Sequence, residues 1–111
     1  MSFQHQGLAA GRWHALTLLE QMANIGSEVE RAFQWKEKNN PGRSSKAFER
    51  ALELLDLTLE CPNNKFRLKE IARTREILVD IFLCGNLFLS SENSLRKYFL
   101  EFAYAVRKNV S

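Results

Sequence analysis

No segment of this chain alternates apolar and polar residues for long enough to read as a strand, and no apolar run comes near the ~20 residues needed to span a bilayer. The longest such run, residues 77–84, is interrupted by Asp80 and closed by Gly85. Neither a sheet-based fold nor a membrane-spanning helix is expected. Cysteine is scarce too. Cys61 and Cys84 are the only two, set far apart, with no Cys-x-x-Cys spacing and no signal-peptide pattern ahead of them. That argues against a disulfide framework and for reduced thiols in the cytoplasm. The two histidines, His5 and His14, lack the Glu-x-x-His setting that di-metal bundles use, so no metal is expected. Also missing are a glycine-rich phosphate loop, a Gly-x-Ser-x-Gly elbow, a His-Glu-x-x-His helix and a cysteine with a local histidine. With all four absent, no residue constellation identifies a reaction. A non-enzymatic protein, without a cofactor or an identifiable small-molecule substrate, is the expectation.

What the chain has is helical periodicity. Its 111 residues, 45% hydrophobic and 26% charged, suit one folded domain. Residues 43–60 (RSSKAFERALELLDLTLE) carry the clearest pattern. Phe48, Ala51, Leu52, Leu55, Thr58 and Leu59 fall on one apolar face, and Glu49, Glu53, Asp56 and Glu60 form an acidic ridge beside it. Upstream, Ala15, Leu19, Met22, Gly26, Val29 and Phe33 share a face, with Leu18, Ile25 and Ala32 alongside. This predicts one helix over 12–38 with an apolar surface wide enough for two neighbours. Gly26 lies on the inward stripe, where glycine weakens a helix by about 1 kcal/mol relative to alanine. Close approach of another helix or a kink would account for it. Residues 1–11 lack a sustained period and read as a flexible arm.

Asn39-Asn40-Pro41-Gly42 and Cys61-Pro62-Asn63-Asn64 are the turn signals. Ser44 or Ser45 is placed to cap the helix at 44–60, and Asn63 or Asn64 a helix over 64–83, which Gly85-Asn86 closes. Leu68, Ile71, Ala72, Leu78, Val79 and Phe82 form its stripe. Leu95, Phe99, Phe102 and Val106 form that of a last helix over 92–108. Four amphipathic helices with short turns predict an all-α, antiparallel up-down four-helix bundle.

Charge supplies the functional leads. Net charge is +3, and residues 61–111 hold nine basic groups against five acidic. Lys65, Arg67, Lys69 and Arg73 crowd the start of the third predicted helix, and Arg43 and Lys46 that of the second. Cations at helix starts oppose the macrodipole, so an external anion is a candidate partner, with the phosphate backbone of RNA or DNA first. Surface solubilisation is the competing reading. Arg75 falls within an apolar stripe, where a guanidinium needs a partner. Asp56 or Glu30 could pair with it, a bound anion could do the same, or its stem could carry it out to solvent. Ile77 and Ile81 on the third helix, and Leu100 and Tyr104 on the fourth, point away from the stripes. With Trp13 and Trp35 they make candidate interface residues, so a homo-oligomer is expected.

The segment Asn24-Ile25-Gly26-Ser27-Glu28, then Gly42-Arg43-Ser44-Ser45-Lys46-Ala47-Phe48 and the leucine-rich 51–60, resembles the four-helix-bundle family of 23S rRNA intervening-sequence proteins. The accessory proteins of diversity-generating retroelements are similar to that family. The resemblance implies a homopentameric assembly, a basic surface, nucleic acid as partner and no catalytic site. It places Phe48 in the core and Arg43 and Lys46 on the surface. Two functions follow as expectations. One is a self-associating bundle that binds nucleic acid or nucleoprotein through basic helix starts. The other is a protein–protein interaction module that uses an exposed apolar patch.

Overall fold

A computed structural model of the chain describes residues 8–86 and 91–109. Its regular structure is all helical: α1 (Leu8–Ala15), α2 (Leu18–Glu37), α3 (Pro41–Glu60), a 3-10 segment (Pro62–Arg67), α4 (Leu68–Leu83) and α5 (Glu92–Asn109). No strand occurs among the described residues. None of the described helices is long and apolar enough to cross a membrane.

The helix expected over 12–38 is two helices. Thr17 stands between them in extended geometry, with φ −69° and ψ 161°. Its hydroxyl accepts from the Glu20 N–H at 3.2 Å, and the Glu20 carboxylate accepts from the Thr17 N–H at 2.9 Å. This reciprocal capping box satisfies two otherwise orphaned donors and starts α2 afresh. Of the arm expected at 1–11, residues 1–7 (His5 included) lie outside the described residues, while Leu8 to Gly11 belong to α1.

α3 also starts earlier than the serines suggest. Asn40 is the cap, its side-chain oxygen accepting from the Arg43 N–H at 3.1 Å, and Pro41 takes the first helical position. Proline is at home there, since the N–H it lacks would have no intrahelical partner. Ser44 therefore lies inside the helix, and its buried hydroxyl donates to the Ala32 carbonyl of α2 at 2.8 Å. α4 begins at Leu68, after the 3-10 segment. The chain leaves α4 through Gly85 and Asn86, at φ 73° and 60°, and the N–H groups of Cys84 and Asn86 return to the Asp80 carbonyl at 3.1 and 2.9 Å. Such backbone satisfaction by left-handed residues is how helices commonly stop.

α2 packs along α3 on one side and α5 on the other, with α4 set against α3. Met22, Ile25, Val29 and Phe33 of α2 meet Leu55 of α3 and Ile71 and Leu78 of α4 in the fully buried core. The Phe82 ring lies 4.9 Å from that of Phe33 and 4.8 Å from that of Phe48, tying α4 to α2 and α3. Gly26 faces α5 so closely that a Cβ there would lie 2.8 Å from the Phe99 Cβ. Of the two readings for that glycine, close approach is the one observed.

One end of the molecule is closed by buried polar contacts. Trp13 of α1 is only 8% exposed, and its indole N–H donates to Thr58 Oγ1 at 2.8 Å. Gln21 donates to the Trp13 carbonyl at 2.9 Å, and Asn64 donates to Gln21 Oε1 at 2.9 Å and to the Thr58 carbonyl at 3.0 Å. Trp13, expected at an interface, is thus a buried anchor holding α1 against α3. Asn64, expected to cap a helix, joins the same network.

Candidate functional site

The charged residues sort into internal partners and free groups. Arg75 bonds Asp56 through Nε at 2.7 Å and Nη2 at 3.4 Å. Its side chain keeps 33% of its exposure, so the guanidinium is not buried: the stem lies along α4 while the head reaches the surface of α3. Glu30 does not join that pair. It accepts from Arg96 of α5 at 2.8 and 2.6 Å, and Glu37 stands 3.4 Å from the same guanidinium. These bonds hold the Glu30 carboxyl below the usual carboxylate range despite the opposing effect of burial, and they push Arg96 up. Arg96 also lies over the Phe33 ring, 5.3 Å from its centroid. On α5, the Tyr98 hydroxyl donates to Glu70 at 2.9 Å, and burial raises its pKa to about 12.

The six basic candidates do not converge. Arg43 stacks on Trp35 at 4.6 Å, with the Lys38 ammonium 5.2 Å from the same ring and Lys46 exposed one turn along α3. Lys65, Arg67 and Lys69 lie past the other end of α3, a helix of 20 residues and therefore about 30 Å long. Arg67 pairs there with Glu70 and approaches the Phe102 ring, and Arg73 pairs with Glu76 at 3.3 Å. The structure thus places the six basic candidates in two clusters. It also keeps the acidic ridge of α3 from gathering: among the described residues, no three of His, Cys, Asp or Glu come together as a metal set. Cys61 is buried and Cys84 exposed, both as free thiols.

The apolar candidates divide as well. Ile77 and Ile81 are half-buried against the core, and Ile77 borders a cleft of about 440 Å³ between α4 and α5, next to Leu95 and Tyr98. Trp35 is half-buried under its two cations. Leu100 and Tyr104 are 52% and 55% exposed on the outer face of α5. Leu100 stands at a second, larger groove of about 650 Å³ between α2 and α5. Ala23, Gly26, Phe99 and Ala103 give that groove a small-residue, apolar floor, while Glu30, Arg31, Arg96 and Lys97 stand at its charged edges.

Lys97, Leu100, Glu101 and Tyr104 are all exposed and recur at three, four and seven residues, which places them on one ridge. Sequence reasoning did not pair Lys97 with Glu101, nor single out the floor residue Ala23. The ridge spacing could have been read from the sequence. The floor could not, because it exists only where two helices meet. Comparison with protein-family models, with curated proteins and with solved structures returned no match.

Proposed function

We propose that this protein is a non-enzymatic helical interaction module, an antiparallel up-down bundle of α2 to α5 that associates through the groove between α2 and α5. The topology is supported by contact registers that run in opposite senses. Glu28 pairs with Arg50 and the Ala32 carbonyl with Ser44; Phe48 stacks on Phe82 while Asp56 pairs with Arg75; Gly26 meets Phe99, Glu30 meets Arg96 and Lys36 meets Glu92. The observation that carries the function is the pairing of a projection with a recess. Leu100, half exposed, stands beside an apolar groove large enough for side chains of a partner helix. A non-enzymatic role is supported by the shifted groups: Glu30, Arg96 and Tyr98 are each occupied by a structural partner. The free thiols fit the proposed cytoplasmic setting.

Leu100→Glu with Tyr104→Asp tests the surface. Association measured by sedimentation velocity should be lost while helical circular dichroism stays at its wild-type value. Association of the double variant as strong as that of an associating wild type would remove the groove from the account.

A second reading, binding of RNA or DNA, is favoured by one observation. Trp35 with Lys38 and Arg43 around it, and Lys46 one turn on, combines an aromatic ring with cations for which no carboxylate contact is seen among the described residues. Binding of a fluorescent oligonucleotide should then fall steeply with salt and weaken in Arg43→Gln/Lys46→Gln. Lys65→Gln/Lys69→Gln, at the far end of α3, should matter less. Equal loss from both pairs, or no binding at low salt, would count against this cluster.

A further inference from the structure

We infer that the occupant of the α2–α5 groove is a second copy of this chain, joined across a two-fold axis near Leu100. This rests on the reading of that groove as a docking surface. A two-fold contact uses the same patch on both molecules, so the patch must contain both halves of every complementary pair. This one does. It offers a projecting Leu100 together with a recess floored by Ala23, Gly26 and Ala103. It also offers a cation, Lys97, and an anion, Glu101, one helical turn apart on the same ridge, both exposed and neither in an ion pair among the described residues.

With two α5 helices antiparallel across the axis, Lys97 of each copy faces Glu101 of the other, and both Leu100 side chains sit beside the axis against the opposing recess. Tyr104, one turn beyond, extends the apolar strip. A partner of different sequence would need only one half of each pair on this face. The presence of both signs and both shapes on one ridge favours self-recognition. The remaining charges at the groove edge do not compete for the contact, because Glu30 and Arg96 are bound to each other and Arg31 is held by Glu28.

The test is a charge swap read by sedimentation velocity on the full chain, from micromolar to millimolar concentration. Wild type should dimerise reversibly. Lys97→Glu alone and Glu101→Lys alone each set like charges against each other twice, and each should weaken dimerisation by about tenfold or more. The combined Lys97→Glu/Glu101→Lys variant exchanges the signs on both copies and should recover most of that loss. Because both positions are solvent-exposed, circular dichroism should be the same for all four proteins.

A dimer that ignores the single reversals, a combined variant no better than the singles, or a five-fold ring would overturn the proposal. A chain that stays monomeric overturns it too, and an apolar fluorescent dye then separates the two claims. Dye binding abolished by Leu100→Glu keeps the groove as a docking surface for something other than a second copy. No effect of Leu100→Glu removes the groove as well.

Discussion

Gly26 shows how a single side chain's absence positions two helices. Alanine is the better helix former by about 1 kcal/mol, so a bare propensity argument favours Gly26→Ala. Packing opposes it, since the added Cβ would fall 2.8 Å from the Phe99 Cβ, an atom fixed to the α5 backbone. Overpacking of this kind costs roughly 1–3 kcal/mol, so a net loss of about 1 kcal/mol is expected in urea unfolding of Gly26→Ala. Glu30 makes a prediction in pH. Its carboxyl titrates below the ordinary range because Arg96 bonds its charged form. The folded state therefore binds this proton less readily than the unfolded chain does. The stabilisation is fully present above the unfolded value of about 4.3 and is lost as pH falls through the lower folded value. Denaturation midpoints measured from about pH 6 down to about pH 2 should fall less steeply for Glu30→Gln than for wild type. Arg75, by contrast, keeps a third of its exposure, so Arg75→Met should cost no more than about 1 kcal/mol.

The start and stop of each helix follow local chemistry, and α1 shows what that chemistry leaves undecided. The Thr17–Glu20 capping box ends the continuity of the helix although the apolar stripe runs on. It frees α1 to lie against α3, where Trp13 reaches Thr58. Gln21 is the hinge of that arrangement, bonding both the Trp13 carbonyl and Asn64 while fully buried. Gln21→Leu would leave a buried carbonyl and a buried amide short of partners, at about 1–3 kcal/mol. Each keeps one other bond, the Trp13 carbonyl from the Leu16 N–H and the Asn64 amide to the Thr58 carbonyl, and the two belong to α1 and the 3-10 segment. Hydrogen exchange should therefore accelerate first in Trp13 to Leu16 and around Asn64, ahead of the Phe33–Leu55 centre of the core. Uniform acceleration across all helices would mean that α1 is not a separable unit.

For the assembled molecule the division of charge matters more than its sum. A net charge of +3 is modest, and many cations are already engaged: Arg31 and Arg50 with Glu28, Arg67 with Glu70, Arg75 with Asp56, and Arg96 with Glu30. Of the six basic candidates, Arg43 and Lys46 lie about a helix length from Lys65, Arg67 and Lys69. Apolar surface is divided in the same way, since Ile77 turns to the α4–α5 cleft while Leu100 lines the α2–α5 groove. The ridge is continuous and the basic surface is not, which is why association is proposed ahead of nucleic-acid binding.

An all-helical chain and most of the core were legible from periodicity, because burial of an amphipathic face requires apolar residues to recur at the helical repeat. The boundaries were written there as well, in Thr17-Leu18-Leu19-Glu20 and in Asn40-Pro41, although an apolar stripe continues across the first and two serines follow the second. Periodicity cannot assign partners. That Glu30 takes Arg96 and leaves Arg75 to Asp56, that Trp13 is buried, and that Gly26 opens beside a groove all depend on which helix lies against which. A sequence specifies how each helix presents its faces; which face meets which is decided only when several helices compete for one interior, and tertiary packing settles it.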